Sequence, residues 1–137
     1  MIEWYWLLMM MVALHVFADF HLQGILADMK QKGWWEKQEC KFIKEMRGRG
    51  ADRVNWIYDK DYIAALLIHS FEWAFIVCIP LMWFCGLTTL GAVILCVNAL
   101  AHALMDHLKC NLLYANLWQD QLYHLFQIVV MLGVWSL

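Results

Sequence analysis

Residues Leu90 to Lys109 read LGAVILCVNALAHALMDHLK. The stretch is apolar as far as Asn98, then carries His102 and Asp106 four residues apart, with Lys109 close behind. Twenty residues rising about 1.5 Å each cover about 30 Å, the thickness of a bilayer's hydrocarbon core. Such a run reads as a spanning helix. An ionisable side chain near the centre of one costs about 2.5–3.5 kcal/mol on insertion scales, so it marks function by default. Residues four apart share a helix face, so His102 and Asp106 point the same way.

Other stretches repeat the pattern. Trp4 to Ala18 is apolar except for His15. Ile63 to Phe84 is apolar except for His69, Ser70 and Glu72, and Trp118 to Leu137 closes the chain. Only helices or closed barrels satisfy the backbone in lipid, and these runs are too long and continuous for barrel strands. The expected fold is all-α: an integral-membrane four-helix bundle in one domain. Its spans fall at about 4–23, 62–84, 87–109 and 117–137, with a long loop over 24–61. Pro80 is placed to kink the second span.

Composition agrees. The 137-residue chain is 64% hydrophobic and 16% charged, against about 45–50% and about 25% in soluble domains. An ordinary soluble domain and a polar disordered chain are both excluded. A net charge of −2 leaves no electrostatic footprint for nucleic acid. Five cysteines without a Cys-x-x-Cys indicate neither a disulfide framework nor a zinc ribbon. The Met-Ile-Glu start has no positive charge and no small-x-small cleavage site follows, so the first segment reads as a retained helix.

Nine of the ten basic residues lie between the first and second spans: Lys30, Lys32, Lys37, Lys41, Lys44, Arg47, Arg49, Arg53 and Lys60. The tenth, Lys109, follows the third. The positive-inside rule puts both charged connections in the cytoplasm and both termini outside. Trp34, Trp35, Phe42, Ile43 and Met46 interleave with the lysines, as in an amphipathic piece on the bilayer surface; a solvated loop is the alternative.

The ionisable residues are ordered in depth. His15 and Asp19 on the first span, His102 and Asp106 on the third, and Asp120 and His124 on the fourth are spaced four apart. The order is reversed on the fourth, which runs the other way. On all three, the aspartate therefore lies nearer the cytoplasmic end and the histidine one turn, about 6 Å, deeper. His69 and Glu72 on the second span lie at a similar depth. Neutral imidazole and carboxylate are ligands for zinc, manganese and iron. Bundles build dimetal sites from such inward pairs. One tetrahedral ion uses four ligands or three plus water, and would leave about half of these groups over.

We therefore expect two divalent transition-metal ions, zinc first, with manganese or iron as alternatives. The ligands are His15, Asp19, His69, His102, Asp106, Asp120 and His124, with one aspartate bridging. Glu72 is a ligand or a general base. Gln23 and Gln121 are placed to orient ligands. Lys109, with Arg47 or Arg49, is placed to hold phosphate oxygens. His21 and His107 lie off the aspartate faces and read as interfacial. The alternative to a metal is a hydrogen-bond network between helices.

These motifs resemble a known family. His15-x-x-x-Asp19-Phe20-x-Leu22-Gln23, His102-x-x-x-Asp106-x-x-Lys109 and Asp120-Gln121-x-x-His124 are similar to the small membrane proteins of domain-of-unknown-function family 3307, from bacteria and their phages. The resemblance covers the four-helix layout and implies the bacterial inner membrane. It implies no substrate. The tryptophan-rich loop has no counterpart in it. On the residues themselves, the first reading of function is a metal-dependent hydrolase of a phosphate-containing lipid or lipid-linked substrate. The others are a metal or proton transporter, and a non-catalytic metal-stabilised membrane factor of bacterial or phage origin. The partners are membrane lipids and no nucleic acid; a homo-oligomer is left open.

Overall fold

The computed structural model describes residues 3–47 and 60–135, with backbone alone at 39, 40, 42–44, 46 and 47. Its elements are α1 (Trp4–Phe17), which runs on as a π turn (Ala18–Leu22), α2 (Leu26–Met29), α3 (Lys32–Arg47), α4 (Asp61–Cys85), α5 (Thr89–Cys110) and α6 (Leu117–Trp135). The described residues contain no strand. α1, α4, α5 and α6 pack together around one core.

Polarity is inverted relative to a soluble bundle. Val16, Phe20, Ile68, Phe71, Phe75, Val97, Leu100, Leu104 and Phe126 are exposed large apolar side chains. His15, His69, His102, His124, Asp106 and Asp120 are buried. A soluble monomer does not show so continuous an apolar surface. Three described helices are long and apolar enough to cross a membrane: Trp4–Leu22, Asp61–Cys85 and Thr89–Cys110.

α6 departs from the expected fourth span. It packs as the fourth helix of the bundle, but is not among the helices apolar enough to be counted as a span. The physical reason is its own sequence: Gln119, Asp120, Gln121, His124 and Gln127 load its first half with polar groups. Its start is well specified. Asn116 Oδ1 accepts from the Gln119 backbone N–H and Gln119 Oε1 from that of Asn116, both at 3.0 Å, a reciprocal cap for two orphan donors.

The connection after the first span is a second departure. It is not one simple loop. Gly24, at φ +46°, lets the chain reverse in a conformation that L side chains rarely adopt. The strap from Gln23 to Gln31, including α2, then packs against α4. Asn111, just past α5, clamps the strap: its Nδ2 donates to Lys30 O (3.0 Å) and its Oδ1 accepts from Lys32 N (2.7 Å). Trp35 Nε1 donates to Met29 O at 2.7 Å. Beyond it, Trp34 and Trp35 stand on α3, so the amphipathic piece is helical up to Arg47.

Away from the strap the core is apolar. Leu7, Met11, Val77, Cys78, Leu81, Ile128 and Met131 are fully enclosed there. Pro80 lies inside α4 without ending it. α5 and α6 approach closely at Gly91, where an added Cβ would stand 2.4 Å from Trp135 Cζ2. Gly91→Ala should therefore lower stability by about 1–3 kcal/mol, as overpacked cores do. Gly133→Ala, with nothing within 4 Å of its Cβ position, should instead hold or raise the melting temperature. Thermal unfolding of both variants in detergent measures the contrast.

Candidate metal centre

The centre is assembled from every long element of the bundle. Asp19 comes from the π turn, His69 from α4, His102 and Asp106 from α5, and Asp120 and His124 from α6. Each is buried. π turns inside helices recur at functional sites, and this one carries a ligand candidate.

Three overlapping groupings have ligand atoms within 4.8 Å of one another: Asp19–His69–His102, His102–Asp106–His124 and Asp19–Asp120–His124. Three candidate ligand atoms surround His69 Nε2. It lies 3.3 Å from His102 Nε2, 3.4 Å from Asp106 Oδ2 and 3.6 Å from Asp19 Oδ1. His102 Nε2 is 3.7 Å from Asp106 Oδ2. Metal bonds of about 2.0–2.1 Å in a tetrahedron set their ligand atoms about 3.3–3.4 Å apart. The donor set is thus spaced as a metal site is. Asp106 Oδ1, moreover, is buried and accepts no hydrogen bond, which is uncommon for a carboxylate oxygen.

The surroundings fix tautomers. Gln127 Nε2 donates to Asn98 O (3.2 Å), so its Oε1 is the acceptor facing His124 Nδ1 at 3.0 Å. His124 Nδ1 also lies 3.1 Å from His102 Nδ1, so at most one of the two carries a proton; with it on His124 Nδ1, His124 Nε2 is left as the ligand atom. That Nε2 stands 3.1 Å from Asp120 Oδ1, a pair of acceptors that needs a proton or a cation between them. Trp73, wholly buried, stacks on His102 with ring centroids 4.2 Å apart.

His15 is the correction to the expected ligand list. Trp73 Nε1, a donor only, points at His15 Nδ1 (2.8 Å). His15 Nε2 therefore carries the proton and donates to Gln121 Oε1 at 3.0 Å. Both ring nitrogens are used, and His15 has no lone pair left for an ion. Its role passes through Gln121, whose Nε2 donates to Asp19 Oδ2 (2.8 Å) and Asp120 Oδ2 (3.1 Å). Gln121 thus donates to two carboxylates. Gln23 does not do so: its Oε1 is buried without a hydrogen-bond partner.

Two lysines complete the site. Lys109 Nζ reaches Asp120 Oδ2 at 2.5 Å and is about a quarter exposed. Lys30 Nζ reaches Asp106 Oδ2 at 2.6 Å with its side chain 5% exposed. Lys30 is the residue that sequence reasoning missed, since it looked like one of nine loop cations. The only signal was its position nearest the first span. With the imidazoles neutral, three carboxylates against two ammonium groups leave one buried negative charge over.

The remaining expectations resolve differently. Glu72 is half-buried on α4 and belongs to none of the three groupings. His21 stacks on Phe17 and His107 on Tyr62, and neither belongs to the three groupings. Arg49 and the Arg47 side chain lie outside the described residues.

No family model, curated protein or solved structure matches this chain.

Gln121→Leu is near in volume but removes the amide that aims Asp19 and Asp120. Loss of such an outer hydrogen bond costs about 10–100-fold in metal affinity. Competition with a fluorescent chelator for zinc reads that loss directly, and circular dichroism checks that the helices persist.

Proposed function

We propose that this chain is an integral-membrane metalloprotein that hydrolyses a phosphate-containing lipid or lipid-linked substrate at the basic end of its bundle. The observation that carries the reading is the set of imidazole nitrogens and carboxylate oxygens at metal-ligand spacing, with two lysines beside them. The likeness to domain-of-unknown-function family 3307 is part of the proposal and adds no activity.

One ion would be held by His69, His102 and Asp106, with Asp19 as a further donor. A neutral imidazole offers one lone pair, so groupings that share His102 or His124 cannot both be filled by neutral rings. A carboxylate can bridge. The groupings that can be filled together therefore share Asp19: Asp19–His69–His102 and Asp19–Asp120–His124. Asp19 would be the carboxylate that two ions share. Zinc suits this nitrogen and oxygen set, and manganese and iron are the alternatives. Divalent ions bound here supply Lewis acidity to a phosphoryl oxygen.

The chain's own residues do the rest. Lys109, at the rim, holds phosphate oxygens. Asp106 Oδ1, a buried oxygen with no donor of its own, accepts the proton of the attacking water. Glu72, outside the cluster, is not needed as the base. The exposed apolar faces of α4 and α5 give an acyl or polyprenyl chain a lipid-side approach. The basic residues around 30–60 favour a cytoplasmic placement of this end in a bacterial inner membrane, with both termini outside. Transport is the weaker reading. The polar column ends at Gln127 and Asn98, and Leu7, Met11, Val77, Leu81, Ile128 and Met131 close the bundle beyond it.

The test is phosphate release from phosphatidic acid and a polyprenyl diphosphate in mixed micelles, with zinc or with a chelator. Turnover should need the ion, and His102→Ala should lower both bound metal and turnover at least 100-fold. Equal rates in chelator would remove the hydrolase reading. Metal uptake without turnover on either substrate would leave a non-catalytic metalloprotein.

A further inference from the structure

Lys30 performs no step of the proposed chemistry, yet among the described residues it is one of the few buried charges. Its Nζ sits 2.6 Å from Asp106 Oδ2. The same oxygen is 3.4 Å from His69 Nε2 and 3.7 Å from His102 Nε2. One carboxylate oxygen is thus shared by a metal-spaced triad and by an ammonium. Metal–carboxylate bonds are about 2.0–2.2 Å. An ion on Asp106 Oδ2 would then meet the Lys30 ammonium at no more than about 5 Å, inside a pocket with little water to screen them. Asp106 cannot neutralise both.

The geometry points to Lys30 as a tethered cation that competes with a metal ion for Asp106, so that ion loading and the docked strap exclude each other. The inference rests on the metal reading of the site. Its second support is the build of the strap. Lys30 arrives from outside the bundle on the segment Gln23–Gln31, not on a spanning helix. Besides its packing against α4, that segment is held by side-chain bonds at its end. A single side chain, Asn111, brackets Lys30 by taking the Lys32 N–H and donating to the Lys30 carbonyl. Trp35 Nε1 holds Met29 O, so α3 is tied to the same strap. Releasing Lys30 from Asp106 therefore frees a segment continuous with the amphipathic α3. A divalent cation is the ligand, and the position of the strap is what its binding changes. The outer bundle, which the strap does not touch through these bonds, has no reason to move.

Two measurements decide it. The first is zinc affinity of Lys30→Met against wild type by titration calorimetry in detergent. Removing the competitor should tighten binding at least tenfold; unchanged or weaker binding overturns the proposal. The second uses the unaltered protein, so it stands even where the variant fails to fold. Acetylation of Lys30 by an amine-reactive ester, mapped by mass spectrometry, should rise at least fivefold on adding zinc, with Lys37 as the exposed reference. Equal labelling with and without zinc overturns it. The outcomes separate the two readings. If both proteins bind zinc equally, competition fails and the metal site survives. If only Lys30→Met binds, competition stands and the native metal site fails. If neither binds, both fall.

Discussion

A carboxylate taken out of water must be answered by a positive charge, a proton or several donors, because its desolvation is worth more than most packing in a domain of this size. Asp19, Asp106 and Asp120 impose this condition in a bundle whose outer faces are apolar. Much of the architecture follows from it. Gln121 sends one amide to two of the carboxylates. Lys109 takes the second oxygen of Asp120. Lys30 is brought in from a strap to meet Asp106. Each of the three buried carboxylates thus meets a side-chain amide or an ammonium.

The polar layer also dictates where the helices cannot be regular or purely apolar. Asp19 lies in a π turn at the end of α1, and that wider turn sets where its carboxylate enters the cluster. α6 carries so many polar groups that it falls below the hydropathy of a free-standing span. Asp120, His124 and Gln127 are nevertheless buried where α6 packs on α1, α4 and α5, while Gln119 at its start is exposed. Polar groups buried in a membrane bundle are paired in this way or not tolerated.

Trp73 links the apolar and polar halves. Its ring covers His102 while its N–H fixes the tautomer of His15. His15 in turn holds Gln121, so a wholly buried tryptophan on α4 governs the orientation of carboxylates on α1 and α6 through two intermediates. This is an outer-layer chain of the kind that preorganises a ligand set, built from rigid rings with few rotatable bonds.

Much of this protein was legible from the chain alone. Apolar runs the length of a bilayer announced helices, and the four-residue spacing of His102 with Asp106 and of Asp120 with His124 placed each pair on one face. Both follow from the fixed rise and period of a helix, which are local properties. The common depth of those pairs was readable for the same reason. The partners of each nitrogen were not. Whether His15 meets an ion or a tryptophan depends on rotamers and on a residue 58 positions away. Whether Lys30 is a surface cation or a buried one depends on a strap folding under the bundle, where Asn111, 81 positions on, receives it. Period and hydropathy determined which residues face inward. The tertiary structure alone decided which of them touch, because contact between distant segments is set by packing, and no spacing along the chain encodes it.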